Sequence, residues 1–438
     1  MKIKRYSSVF LLLLTLSMND CVKGENVNKA PEAKETKQLI AGLARKTDVN
    51  PKYKFIKESL NDFQDDKSSL DSIYEIFYQL KMNPDSVKSP LSVVHIGDSH
   101  IQAGYLTGEV MRNLQNEFGN AGRGLVVPLR LAKTNAPRDY MISSNSTWHG
   151  GRLIQRKNTL PIGVGGIALA AENDKIDFTL KLREKEQDKY AFNRITVFSD
   201  EEAPTLSASK QMLSLFDPLK EYPFAYRLEL GEMTDSIRLK ATGATPGKST
   251  YYGFSLENGK PGVLYHSIGI NGAHYLDYQN EGLIKQTQAL KPDLIVLSLG
   301  TNEAFGRNFN SVEFKNQISG MIKLVKEANP NSVLLLTTPA ECYVKRRVNN
   351  KTVYSVNTKV ARVRNVLIDY AKENGIACWD LFEITGGAGS SKNWFNNKLM
   401  SRDRIHFTEE GYQLQGELLF NAFITEYNEY LTKRNRSK

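Results

Sequence analysis

The chain has 438 residues, 40 % hydrophobic and 24 % charged, with a formal net charge of +10. That balance excludes a disordered polar chain, and the length leaves room for two or three domains. The excess of Lys and Arg suits adsorption to an anionic polymer, but no stretch has the pattern of a nucleic-acid-binding module.

Residues 1–24, "MKIKRYSSVFLLLLTLSMNDCVKG", start basic (Lys2, Lys4, Arg5) and continue apolar from Val9 to Leu16. This reads as a secretory signal, too short to span a membrane as a mature helix. Val22 and Gly24 suit the −3 and −1 positions of a cut before Glu25. Cys21 offers a second option, lipid attachment after lipoprotein processing, with Asn19 and Asp20 as poor neighbours for that cleavage. No other segment is long and apolar enough to cross a bilayer. The mature protein is expected to be exported, periplasmic or held at the cell envelope, which argues against a nucleic-acid partner. An oxidising compartment permits a disulfide between the remaining Cys342 and Cys378, and equally two buried thiols.

Residues 25–66 are polar and lysine-rich and read as a tether or loosely docked arm. Leu70, Ile73, Phe77 and Leu80 then keep the spacing of one helix face. A strand at 91–96 leads through Gly97-Asp98-Ser99 to a helix near 105–118 that Gly119 stops. Between about 150 and 260, "KIDFTLKL", "RITVFS", "YRLELG", "SIRLKATG" and "YYGFSLEN" are short, partly alternating segments separated by turn residues, the pattern of a β-sandwich. A strand near 263–270 and a helix at about 274–290 follow. Next come strand 293–300, a helix at about 312–328 and strand 332–338. A helix carrying Val356, Val360, Val363 and Leu367, strand 376–381 and a helix from about 409 to 431 complete the chain. Five alternations of strand and helix imply a parallel sheet with helices on both faces. The expected organisation is a signal at 1–24, an arm at 25–66, an α/β domain at 67–150 and 262–438, and an inserted β-domain at 151–261.

Open parallel sheets bind ligands beyond the carboxyl ends of their strands, and four such ends carry chemistry. Ser99 follows the first strand, Gly272 of "GINGAH" the second, and Asn302 of "GTNEAF" the third. Beyond the fifth, "SRDRIHFTEEG" brings Asp403 and His406. A serine hydroxyl needs a neighbouring base to act as a nucleophile. A histidine titrates near neutral pH, which suits His406 to that task. Asp403, three residues earlier, can orient the imidazole and stabilise its protonated form. The N–H groups of Ser99 and Gly272 and the side-chain NH₂ of Asn302 can bind a developing oxyanion.

"GDSH", "GINGA", "GTNE" and "DRIH" resemble the ordered blocks of the SGNH (GDSL-type) hydrolases, over about residues 88–150 and 262–435. The resemblance implies a flavodoxin-like three-layer α/β fold and the same jobs for Ser99, Gly272, Asn302 and His406. The chain departs from the simplest pattern in having His100, not Leu, after the serine. The GDSH opening, "FGNAGRGLVVP" and the inserted β-domain are similar to the bacterial peptidoglycan O-acetylesterases. In those enzymes the insert resembles a carbohydrate-binding module, which implies a glycan partner. The expected activity is acetyl-ester hydrolysis on a glycan, favouring O-acetylated peptidoglycan, through an acetyl-Ser99 intermediate and without a cofactor. Alternatives are acetylated xylan or another polysaccharide as substrate, a lipid acylhydrolase or thioesterase, and a carbohydrate-binding envelope protein without activity. Acetyl transfer in place of hydrolysis is also open.

Other candidates have plainer readings. Asp98 is a structural turn residue and His95 a core residue, while His100 has no assigned role. His149, His266 and His274 lack metal-ligand spacing, so no metal is expected. Tyr251 and Tyr252 either fill a sandwich core or stack on sugar rings. The oligomeric state is not legible.

Overall fold

The computed structural model describes residues 39–64, 68–183, 187–210, 212–216 and 222–436. The expected signal at 1–24, with Cys21, and residues 25–38 of the arm lie outside them. Six strands form the central sheet: β1 (Phe63–Gln64), β2 (Leu91–Gly97), β3 (Val263–Gly269), β4 (Leu294–Ser298), β5 (Val333–Thr337) and β6 (Ala377–Trp379). Their order is β1-β6-β5-β4-β2-β3, parallel except for β1, which runs antiparallel along β6. Counted from β2, the parallel strands stand in the order 2-1-3-4-5, the flavodoxin-like arrangement.

All seven residues of β2 are buried, because helices cover both faces of a parallel sheet. Each buried Val, Leu or Ile there contributes about 1.5–3 kcal/mol relative to exposure. Its two polar members are satisfied internally. Ser92 Oγ donates to Leu290 O at 2.7 Å, and the His95 ring bridges Tyr265 Oη (2.7 Å) and Ser298 Oγ (2.6 Å). Burial pushes His95 down to about 3, so it is a neutral core histidine.

The principal helices are α1 (Asp71–Met82), α2 (Ser99–Gln102), α3 (Tyr105–Phe118), α4 (Ser311–Ala328), α5 (Lys359–Glu373) and α6 (Glu409–Arg436). α6 packs on α1 and α3, and α4 packs on α5. Phe77 of α1 stacks on Phe118 of α3 at 4.2 Å, and Tyr427 of α6 meets both edge-on at 5.9 and 5.4 Å. Gly119 ends α3 with φ 95°.

Two helices differ from expectation. Residues 274–280 form turns, and the helix is confined to Glu281–Gln286, followed by a 3₁₀ turn at Thr287–Leu290. Asp277 ties back the His274 N–H at 2.8 Å, and Asn280 caps the late start by accepting from Leu283 N. Val356 shares the helical spacing of Val360 but sits in an exposed hairpin, Tyr343–Val348 with Lys351–Val356. α5 begins after Asn357, whose side chain accepts the Lys359 N–H at 3.2 Å.

Residues 122–257 build two antiparallel sheets. The larger contains Gly122–Val126, Trp148–Arg152, Ile167–Ala171, Phe192–Ser199, Met212–Phe216, Ala225–Thr234 and Thr250–Glu257. The smaller contains Tyr140–Ser143, Lys175–Leu182, Ser207–Ala208 and Ser236–Thr242. In Lys175–Leu182 alternate residues Ile176, Phe178, Leu180 and Leu182 are buried, the period of a strand with one face inward. Phe178 meets Tyr251 and Phe254 of the larger sheet at 5.4 and 5.2 Å. Tyr251 fills this core, and Tyr252 is buried against Gly163.

The described part of the arm is anchored. Tyr427 Oη donates to Gly42 O at 2.9 Å, Asn421 and Asn428 of α6 bond the backbone of Thr47 and Ala44, and Trp379 Nε1 donates to Asn61 Oδ1. Cys342 and Cys378 are buried free thiols.

Candidate active site

β2 ends where the strand order reverses between β2 and β4, the place at which an open α/β sheet leaves a crevice. A Cβ on Gly97 would stand 2.3 Å from Ile101 Cγ1 and 2.7 Å from Ser298 O, so only glycine lets α2 fold back this tightly. Asp98 Oδ1 accepts the His100 N–H at 2.9 Å and caps α2. Ser99 is the first residue of that helix, and its N–H has no partner within the helix.

The loop before α6 comes to the same crevice. Asp403 Oδ1 accepts from the N–H groups of Ile405 (2.9 Å) and His406 (3.0 Å), which fixes the turn. Asp403 Oδ2 lies 2.7 Å from His406 Nδ1, and His406 Nε2 lies 2.8 Å from Ser99 Oγ. Partial burial opposes the Asp403 charge. The hydrogen bonds from His406 and the two N–H groups outweigh it and hold the carboxyl below its ordinary range. An ionised Asp403 fixes the tautomer in which Nδ1 carries the proton and Nε2 faces the serine. Arg404, at φ 59°, braces the turn with its guanidinium 4.2 Å from the Phe395 ring and 4.4 Å from that of Tyr354.

Gly272 follows β3 with φ 80°. Its N–H has no acceptor among the described hydrogen bonds, and the residue lines a cleft of about 600 Å³ together with Ser99, Asn302 and His406. Tyr105, Phe305 and Ile405 add apolar walls. Asn302 Nδ2 donates to Ala273 O at 3.0 Å and approaches Asp98 Oδ2 at 3.4 Å. An oxyanion would thus compete only with the longer contact. Burial pushes Asp98 up to about 7, with the nearby Glu303 adding to the effect.

The five residues singled out from the sequence therefore meet, with Asp403 behind His406 and the other four on the cleft wall. His100 stands apart from that line. Its Nδ1 is 2.9 Å from Tyr412 Oη and its ring 5.2 Å from that of His406. Burial, then the His406 charge, lowers its pKa, so it is a neutral packing partner of the imidazole. His266 is buried, its Nδ1 accepting from Leu125 N.

Sequence reasoning missed the polar bracket behind Gly272. Gln102 Oε1 accepts the Asn271 N–H at 2.6 Å, and its Nε2 donates to Asn135 O and Oδ1 at 2.7 and 2.9 Å. Asn271 Nδ2 also reaches Asn135 Oδ1 at 2.6 Å. The only signal was an amide side chain placed three residues after Ser99 on a short helix whose inner face is buried.

Residues 235–414, which carry Gly272, Asn302, Asp403 and His406, match the model of the GDSL-like lipase/acylhydrolase family. This part of the chain thus resembles the GDSL-like family, with the catalytic candidates of the later blocks inside the match. The family match, together with the Ser99–His406–Asp403 geometry, supports an esterase of the carboxylic-ester class. No curated protein matches it by sequence. Among solved structures, the chain is similar to a peptidoglycan O-acetylesterase, with TM-score 0.65 and 21 % identity over 86 % of this chain and 99 % of that one. A lipase/acylhydrolase from Enterococcus faecalis matches with TM-score 0.28 and 20 % identity, over 38 % of this chain and 77 % of that one. A family 3 carbohydrate esterase from Talaromyces cellulolyticus matches with TM-score 0.28 and 16 % identity, over 42 % and 79 %. The first likeness extends over nearly all of the neighbour, so the shared fold includes more than the α/β sheet.

Proposed function

We propose that this protein is an exported serine esterase of the SGNH type that removes O-acetyl groups from a glycan, with O-acetylated peptidoglycan the favoured substrate. The observation that carries the reading is the unbroken line Asp403–His406–Ser99, with spacings of 2.7 and 2.8 Å, opening on a cleft. His406 Nε2 takes the Ser99 hydroxyl proton as Oγ attacks the acetyl carbon, and Asp403 steadies the resulting imidazolium. The tetrahedral oxyanion is held by the N–H groups of Ser99 and Gly272 and by the Asn302 amide. Collapse expels the sugar oxygen, which takes its proton from His406, and leaves acetyl-Ser99. A water then gives its proton to His406, attacks the acetyl carbon, and acetate leaves with Ser99 restored.

Export rests on the basic and apolar pattern of residues 1–24. The glycan reading is supported by the inserted β-sheets and by the fold shared with a peptidoglycan O-acetylesterase. The test is acetate release from O-acetylated peptidoglycan and from acetylated xylan by wild type and Ser99→Ala. Release from peptidoglycan that the variant lacks is the expected result. Release only from xylan moves the substrate to another polysaccharide. Release from neither, with activity on long-chain esters, makes the protein a lipid acylhydrolase. Glycan binding with no esterase activity makes it a binding protein.

A further inference from the structure

A second cleft, of about 1030 Å³, adjoins the first and shares Ala103 and Tyr105 with its wall. It runs between α3, the loop before Tyr140–Ser143, the end of Lys175–Leu182 and the start of α6. Five cationic side chains line it. Two are already matched: Arg112 with Glu109 at 2.7 Å, and Arg138 with Glu409 at 3.1 Å. The other three, Arg130, Lys181 and Arg183, are exposed and have no ion pair or side-chain hydrogen bond among the described residues. Asp139, the remaining acid of the wall, is paired with the buried Arg123. Among the described residues, the cleft therefore presents three cationic side chains without an ion-pair partner to solvent beside the reactive serine.

We propose that this cleft is a subsite for the carboxylates of an anionic glycan, engaged while an acetyl ester of the same chain lies against Ser99. The inference rests on the esterase reading above and assigns its substrate class: an acidic polymer, carrying carboxyl groups within a few sugar residues of the ester. The volume takes several sugar units, where a cleft for a single small molecule is typically about 300–1,000 Å³. Guanidinium groups on this wall already hold carboxylates, those of Glu109 and Glu409, so the site's chemistry fits the ligand. Tyr105 separates the two clefts, with the Arg138 guanidinium 5.4 Å from its ring and the Tyr412 ring stacked at 6.3 Å. A chain crossing this ridge reaches both clefts at once. Exposed cations act at a distance and are screened by salt, so this subsite should speed capture of an acidic polymer most at low ionic strength.

The test compares the intact protein with the triple variant Arg130→Gln/Lys181→Gln/Arg183→Gln on three substrates. These are O-acetylated peptidoglycan sacculi, the same sacculi with carboxyl groups amidated by methylamine, and para-nitrophenyl acetate. The readout is kcat/KM on sacculi divided by kcat/KM on the aryl ester, which removes differences in folded fraction. In the intact protein, amidation should lower this ratio at least tenfold. The triple variant should show the same loss on native sacculi and little further loss after amidation. A triple variant that keeps the wild-type ratio on native sacculi overturns the proposal. A loss in the variant that amidation of wild-type substrate does not reproduce assigns the cleft to phosphate groups of attached polymers, and also overturns it. Failure of the esterase reading is visible separately, as no turnover of the aryl ester. Co-sedimentation of Ser99→Ala with native and amidated sacculi then still tests the cleft, because it needs no catalysis.

Discussion

Gln102 accepts the Asn271 N–H at 2.6 Å and holds Asn135 with its amide group, so one buried side chain joins the helix that starts at Ser99 to the loop that presents Gly272. Nucleophile and oxyanion donor are set on separate strands, β2 and β3, and this bracket fixes their separation. Removing the amide should cost turnover more than affinity. Gln102→Ala is expected to lower kcat on an aryl acetate roughly tenfold with little change in KM, because positioning errors of this kind act on the transition state. Gln102→Glu, which keeps an acceptor for Asn271, should recover part of the loss. An equal fall in kcat for both variants would show that the Gln102 contact to Asn271 does not set this separation.

The serine line has the steepest expected effects. Ser99→Ala should lower kcat by roughly 10⁴-fold or more, and Asp403→Asn, which leaves His406 without its carboxylate partner, by about 10²–10⁴-fold. Stopped assays with acetate quantified directly would read both. An Asp403→Asn enzyme with near-wild-type kcat would show that the half-exposed carboxylate is dispensable.

Asn302→Ala should cost about 10²–10³ in kcat, the usual loss of one oxyanion donor. Its Nδ2 is held by Ala273 O at 3.0 Å and stands 3.4 Å from Asp98, so the amide is preorganised and should act without changing KM. A change confined to KM would make Asn302 a ground-state contact.

Asp98 predicts a pH dependence of stability. Its carboxyl is pushed up to about 7 by burial, above the unfolded value of about 3.9. Burying it costs nothing extra below the unfolded value, and the cost grows as pH rises through that window to the folded value. Wild type should therefore lose stability between about pH 4 and 7 relative to Asp98→Asn, with a constant difference above that. Asparagine retains an acceptor for the His100 N–H. Urea unfolding of both proteins at several pH values measures the difference, and parallel curves would refute it.

Much of this was legible in advance because parallel strands are buried on both faces. β2, β4 and β5 read as continuous apolar runs, and whatever follows such a run must lie at the sheet's carboxyl edge. That is why Ser99 and Asn302 were assignable to one edge. The strand Gly122–Val126 was hidden by its own chemistry: Arg123 is buried in it, paired with Asp139, and a charge in a strand breaks the pattern that reveals strands. Val356 misled for the opposite reason, since an exposed hairpin placed an apolar residue one helical turn before Val360. The Gln102–Asn135–Asn271 bracket has no periodicity at all. Hydrogen bonds between distant loops depend on where the fold brings them.

The two-residue strand β1 has an importance out of proportion to its length. By pairing Phe63 with Trp379 and Gln64 with Cys378, it caps the rim of the sheet that would otherwise offer unpaired amide groups to another molecule. A shortened protein starting at residue 68, where the helical pattern of α1 sets in, would keep every catalytic candidate and still lose this seal. Such a fragment invites edge-to-edge association and precipitation. The practical N-terminal limit for an expressible catalytic unit thus lies upstream of residue 63, within the stretch that reads from sequence as a tether or loosely docked arm.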